Sequence, residues 1–250
     1  MTQPKHLPLL LWFCLFGLVV FGAVVCVDQG LVQAMVEADQ SRICIVLIVM
    51  YGVGLFHTFR RTLYLSREID RADALTAALA TRGEEPVSVQ GRGLATPSGA
   101  LPAGLVAEYL ADLYAAHPRA QAANEAGEAG SELLEAYASK IRSANDFGWF
   151  YIDVMLKVGF LGTLVGFILM LGSIADTATL DATTMQKVLK QMSIGMSTAL
   201  YTTLASLVGG ILLGIPYQLL ERSLDRLLET AIYIKEVQVM PRLAAGRQSA

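Results

Sequence analysis

The chain has 250 residues, 54% hydrophobic and 16% charged, with a formal net charge of -3 and a mean hydropathy of +0.50. Soluble domains average about 25% charged residues, so this composition points to a polytopic membrane protein and away from a water-soluble enzyme. The small net charge gives no basis for a nucleic-acid partner, and none is expected.

The first apolar run is Leu7–Val27, 21 residues behind Lys5 and His6. A secretory core is about 7–15 residues long, and Val25 ahead of Cys26 suits lipoprotein cleavage poorly, so a retained span is expected. Ile43–Phe59, Val154–Ile174 and Met192–Pro216 are three further spans, near the about 17–25 residues that cross a bilayer. The predicted fold is an all-α membrane protein. It has four transmembrane helices and a helical cytoplasmic segment between the second and third. Cys14, Cys26 and Cys44 lie in or beside apolar segments without metal-ligand spacing. They read as buried inert thiols, with a Cys26–Cys44 disulfide as the alternative.

Ionisable residues sort by segment. Between the first two spans Asp28, Glu37 and Asp39 stand against Arg42 alone. Bases gather after the second span, from Arg60, Arg61, Arg67 and Arg71 onward to Arg82 and Arg92. They gather again after the fourth, at Arg222, Arg226, Lys235, Arg242 and Arg247. The positive-inside rule then places both termini and the long middle segment in the cytoplasm. Lys187 and Lys190, in the third loop, run against it and are partly offset by Asp176 and Asp181.

The middle segment starts as a helical continuation of the second span through Leu63, Leu65, Ile69 and Leu75. Gly- and Pro-rich residues 81–104 read as a flexible linker. Leu105–Ala116 reads as a helix ended by Pro118, and Ser131–Asn145 as a helix running on into the third span. Leu220, Leu224, Leu227, Ala231 and Ile234 form an apolar seam suited to a partner helix. The boundaries are 1–59 for the first two spans and 60–147 for the cytoplasmic region. The last two spans take 148–220, and the C-terminal helix and tail 221–250. Trp12, Trp149 and Tyr151 read as interface anchors, and His57 as an interfacial histidine without a special role.

No Asp or Glu lies in the apolar heart of any span. An ion-driven machine needs a carboxylate at membrane depth, so this chain either drives no ion or borrows that group from another chain. At that depth it offers hydroxyls: Thr163, Ser197, Thr198, Thr202, Thr203 and Ser206. Thr203, Ser206 and Gly210 share one helical stripe. Gly159, Gly162, Gly166, Gly195, Gly209 and Gly210 are the residues expected to allow close helix packing. Asp153 and Lys157, at the inner end of the third span, form an i,i+4 pair or a charged ring at an inner mouth. No nucleotide loop, metal cluster or nucleophile–base set is present, so neither catalytic residues nor a cofactor are expected.

Two stretches resemble a known family. Gly159-Phe160-Leu161-Gly162-Thr163-Leu164-Val165-Gly166 resembles the Gly-Leu-Leu-Gly-Thr-Val-x-Gly stretch of the MotA/TolQ/ExbB ion-channel family. Gly195-Met196-Ser197-Thr198-Ala199-Leu200-Tyr201-Thr202-Thr203-Leu204 resembles the span that follows it. Four spans with a long segment after the second resemble the MotA branch. The resemblance implies a homopentamer in a bacterial inner membrane, enclosing two copies of a single-span MotB/ExbD/TolR-like partner. That partner brings the membrane aspartate, and ion flow turns the pentamer around it. Thr163 and Thr203 match the family's pore-facing positions, with Thr198, Thr202 and Ser206 further along the expected ion path. The Thr202-Thr203 pair resembles sodium-driven relatives and favours Na+ over H+ as the transported ion. The glutamate of the ExbB branch is Thr198 here, and the charged helix by which flagellar MotA engages its rotor has no counterpart in residues 60–145. The competing readings are a secondary transporter, which would need an internal repeat and usually a mid-membrane charge, neither of which is seen, and a structural scaffold.

Overall fold

The structure, a computed structural model, describes residues 7–83, 85–91, 93–122, 126–175 and 182–241. Lys5, His6, Arg92, Asp176, Asp181, Arg242 and Arg247 lie outside them. The elements in order are helices α1 (Leu7–Asp28), α2 (Leu31–Ala38) and α3 (Ile43–Thr81), then strands β1 (Ser88–Gln90), β2 (Gly93–Thr96) and β3 (Gly99–Ala100). Helices α4 (Leu105–Ala122), α5 (Ala126–Ala175) and α6 (Ala182–Tyr233) follow, and α6 is succeeded by a π-helical stretch, Ile234–Val239. The described residues are 87% helical, so the fold class is all-α despite the small sheet. Four helices, α1, α3, α5 and α6, are long and apolar enough to cross a membrane.

The chain divides into two compact units. The membrane unit is Leu10–Arg60 with Asp146–Gln218, and the polar unit is Arg61–Asn145 with the N-terminal residues up to Leu9 and the chain from Leu219.

In the membrane unit α1 is apolar all round. Trp12 is only 6% exposed. It stacks on Phe16 and lies 4.7 Å from the Phe59 ring, because a large ring gains most where aromatic neighbours enclose it. Trp149 is exposed, as an anchor would be. Helix α2 falls between the first two spans, where no element was predicted. Its eight residues are too few for a confident periodicity. The turn after it is organised by Asp39, whose buried carboxylate accepts hydrogen bonds from Ser41 N (2.9 Å), Ser41 Oγ (2.6 Å) and Cys44 N (2.7 Å). These satisfy orphan donors at the start of α3 and place a negative charge at the positive end of its dipole. Cys44 is buried there, whereas Cys14 and Cys26 are exposed on α1, so the expectation of three buried thiols holds for Cys44 alone; all three are free.

In the polar unit the predicted seam is occupied by the chain itself. Leu220, Leu224, Leu227, Ala231 and Ile234 are buried, as are Leu65, Leu75 and Leu79 of α3 and Tyr109, Leu110 and Leu113 of α4. Buried Glu68 accepts from Leu105 N at 2.8 Å and so caps α4 from outside the helix. Residues expected as linker hold the antiparallel sheet, with Ser88 opposite Ala95 and Thr96 opposite Gly99. Gly99, at φ 129, makes the turn that a side chain would strain. Arg82 fastens it by donating to Gly99 O (2.7 Å) and Thr96 Oγ1 (2.6 Å). Two prolines do not end their helices: α4 runs past Pro118 to Ala122, and α6 runs through Pro216 to Tyr233. A proline removes one i→i−4 bond, which long flanking helices tolerate. Lys187 and Lys190 lie within α6 rather than in a loop.

Candidate functional site

The site is built on α5 and α6 inside the membrane unit. Their contact is antiparallel and follows the small residues. A Cβ on Gly159 would strike Ser206, and one on Gly162 would sit 2.6 Å from Thr202 Cβ. On Gly166 it would lie 2.7 Å from Ala199 N and Gly195 O, and on Gly195 2.8 Å from Gly166 O. Gly166 and Gly195 therefore meet backbone to backbone. Steps of three and four along α5 answer steps of four and three along α6, as ridges on one helix filling notches on the other must. Gly209 faces Met155 Cε (2.9 Å) and Gly210 faces Leu156 Cδ2 (3.1 Å), both ends of flexible side chains.

The hydroxyls do not form one set. Thr202 is fully buried in the Gly162 notch, and its Oγ1 donates to Thr198 O (3.0 Å) or Ala199 O (3.1 Å) of its own helix. Ser206, buried against Gly159, donates to Thr203 O at 2.9 Å. Thr198, fully buried, faces another way: its hydroxyl donates to Ala38 O (2.8 Å) and accepts from Gln40 N (3.4 Å). It ties α6 to the turn after α2.

Thr163 and Thr203 differ. Both are half-buried. Their oxygens are 2.6 Å apart, across the seam between α5 and α6. Thr163 Oγ1 is also 3.2 Å from Gly159 O, and Thr203 Oγ1 3.0 Å from Ala199 O. Two hydroxyls carry two hydrogens, while these three contacts would use three. Without a ligand one hydrogen must bridge the two oxygens. With both hydrogens turned to the backbone carbonyls, both oxygens present lone pairs outward, a paired ligand for a cation or a protonated carboxyl group. The arrangement therefore has two proton patterns of similar geometry.

Asp153 and Lys157 form the expected ion pair at 2.6 Å, with side chains 53% and 72% exposed. Two contacts were not anticipated. His57 Nδ1 meets Tyr217 OH at 2.8 Å, and Tyr217 fills a notch at Gly148. Tyr151 donates to Met50 O at 2.8 Å. Gly148 between two aromatic residues was the available signal for the first. No group of acidic, His or Cys residues suited to a metal occurs among the described residues.

Two long apolar helices locked by glycine notches, with two further helices long and apolar enough to span, define the class as a multi-pass membrane protein. Residues 113–231 match the model of the MotA/TolQ/ExbB proton channel family. The match runs from α4 through all of α5 into the last turns of α6, just under half of the 250 residues. The resemblance drawn from the two motifs is thus borne out. The family works as ion channels in motor-type complexes with ExbD/MotB-like partners. Neither a curated protein nor a solved structure matches the chain.

Proposed function

We propose that this chain is the ion-conducting subunit of a rotary motor in a bacterial inner membrane. Five copies enclose two copies of a single-span MotB/ExbD/TolR-like partner, and ion flow past the partner's aspartate drives rotation. The observation that carries this reading is the Thr163–Thr203 pair. It is the half-exposed hydroxyl pair beside the seam, while Thr198, Thr202 and Ser206 are sealed into helix packing. The ion path proposed here is accordingly narrower than five residues. The polar unit and both termini lie on the cytoplasmic side, following the bases after α3's apolar half and after Pro216. Asp153 and Lys157, exposed at the polar end of the α5 span, mark the inner mouth.

The driving ion follows less directly. Thr202 was the residue favouring sodium, and its hydroxyl is engaged with its own helix backbone. Sodium must replace several water oxygens, and the pair supplies two. A proton needs only the partner's carboxylate and a hydrogen-bonding neighbour. The sodium preference rests on the family-like Thr-Thr sequence, and the geometry favours protons.

The test is reconstitution. Native mass in detergent is expected to show five copies of this chain, with two of the partner in the complex. A monomer would instead support a secondary transporter. Vesicles holding the chain alone should conduct no ions; with the partner they should conduct, and with the partner's aspartate replaced by Asn they should not. Conduction by the chain alone would overturn the borrowed-carboxylate reading. Varying sodium at fixed potential and pH gradient then separates the two ions.

A further inference from the structure

A cavity of about 320 Å³ opens in the membrane unit, away from the α5 seam. Its walls include Cys26 of α1, Met35 of α2, Leu47 and Tyr51 of α3, and Leu204 and Ala205 of α6. Tyr51 packs its ring against Gly209, 3.6 Å from where a Cβ would be, and its hydroxyl is buried without a hydrogen-bond partner. One water needs only about 10–15 Å³ of such space, so size alone would admit several. Water is a poor occupant, because each molecule needs two to four polar partners and the walls offer little beyond the phenols of Tyr51 and Tyr201 and one thiol. At membrane depth an open apolar cavity is filled by what surrounds it, and that is hydrocarbon.

A second observation says what that hydrocarbon is attached to. Arg42 is the sole base between α1 and α3. It directly precedes α3, five residues before Leu47, or on the order of 8 Å along the helix axis. It is exposed and makes no side-chain hydrogen bond or ion pair among the described residues. Its φ of 57 is the one left-handed angle at a non-glycine position among the described residues. The hydrogen bonds around Asp39 over-determine that turn and hold the backbone there. A cation at this end of α3, between one and two helical turns from the Leu47 wall of an apolar cavity, complements a phosphate joined to an acyl tail.

We propose that this cavity binds one membrane phospholipid, its acyl chain between α1, α2, α3 and α6 and its phosphate on Arg42. The occupant is a lipid rather than a second copy of this chain. The bound lipid wedges α2 against α6, next to the Thr198 contact with Ala38. The inference needs only a membrane-embedded chain and stands apart from the motor reading.

The full chain, with its partner if required for stability, is extracted in mild detergent and analysed by native mass spectrometry. Wild type is expected to retain a phospholipid. Ala205→Trp, which fills the cavity, and Arg42→Gln, which removes the phosphate contact, should each lower retention ~10-fold, equivalent to about 1.4 kcal/mol. A wild type without lipid, or undiminished retention in both variants, would overturn the proposal. Should Ala205→Trp fail to fold, a photoreactive benzoylphenylalanine at Leu204 gives an independent answer in native membranes. An adduct of phospholipid mass supports the proposal; an adduct with a second chain, or none, contradicts it.

Discussion

The α5–α6 seam of the membrane unit and the core of the polar unit are both helix contacts, yet they use opposite residues. The polar unit buries Leu65, Leu75, Leu79, Leu110, Leu224 and Leu227. The seam buries Gly159, Gly162, Gly166, Gly195, Thr202 and Ser206. The difference follows from the solvent. In water, removing a leucine side chain from solvent stabilises the fold by about 1.5–3 kcal/mol. In lipid that gain vanishes, because hydrocarbon surrounds the helix either way. What remains is close van der Waals contact and hydrogen bonding, both of which require small residues. Beside the seam, this logic leaves Thr163 and Thr203 only half covered, and there a function can use them.

The comparison breaks most severely at Gly166. A leucine there would push its Cβ to 2.7 Å from α6 backbone atoms that cannot turn aside. Gly166→Leu should abolish recovery of folded, monodisperse protein in size-exclusion chromatography, and normal recovery would refute the close backbone contact. The polar unit should respond to the reverse change. Leu224→Ala leaves a cavity and is expected to cost about 2–5 kcal/mol, read as an earlier first transition in thermal unfolding.

Alkali sharpens the contrast. Tyr109 of the polar unit is 1% exposed, and burial, reinforced by the nearby Glu236 charge, pushes its phenol up from 10.0 to about 12. The unfolded chain therefore loses that proton first. Stability from Tyr109 is fully present below pH 10 and falls as the pH rises toward 12, on the order of 2–3 kcal/mol in total. Tyr109→Phe should flatten that part of the pH–stability curve; an unchanged slope would mean the phenol is solvated. The smallest effect is expected at Gly210. Its neighbour Leu156 Cδ2, at 3.1 Å, is a flexible tip, and alanine gains about 1 kcal/mol of helix propensity. Gly210→Ala should change stability by under about 1 kcal/mol, against complete loss at Gly166.

Sequence alone carried the spans, because an uncharged apolar run of about twenty residues is long enough to cross a bilayer and too apolar for a water-facing helix. It also carried the Gly faces and the family. It did not carry α2, whose eight residues hold too little pattern, or the sheet, whose glycines and prolines read as punctuation. It read Pro118 as an end where α4 runs on to Ala122. The sharpest gap concerns the hydroxyls. Thr202 and Thr203 are neighbours in sequence but about 100° apart around the helix. Only the position of α5 shows that Thr202 enters the Gly162 notch while Thr203 meets Thr163. Thr198 was likewise grouped with the ion path, whereas its hydroxyl bonds Ala38 O.

That division of the hydroxyls is the central claim, and one paired measurement tests it. Ion flux is followed in vesicles containing this chain and its partner, comparing Thr203→Val with Thr202→Val at matched assembly. Both changes keep the side-chain shape and remove one hydroxyl. Thr203→Val is expected to reduce flux by at least about tenfold, the equivalent of 1.4 kcal/mol, while Thr202→Val leaves flux near wild type and costs only about 0.5–1.5 kcal/mol of stability from its lost backbone bond. Equal flux in the two variants, or the larger loss at Thr202, would contradict the assignment of the Thr163–Thr203 pair to the ion path.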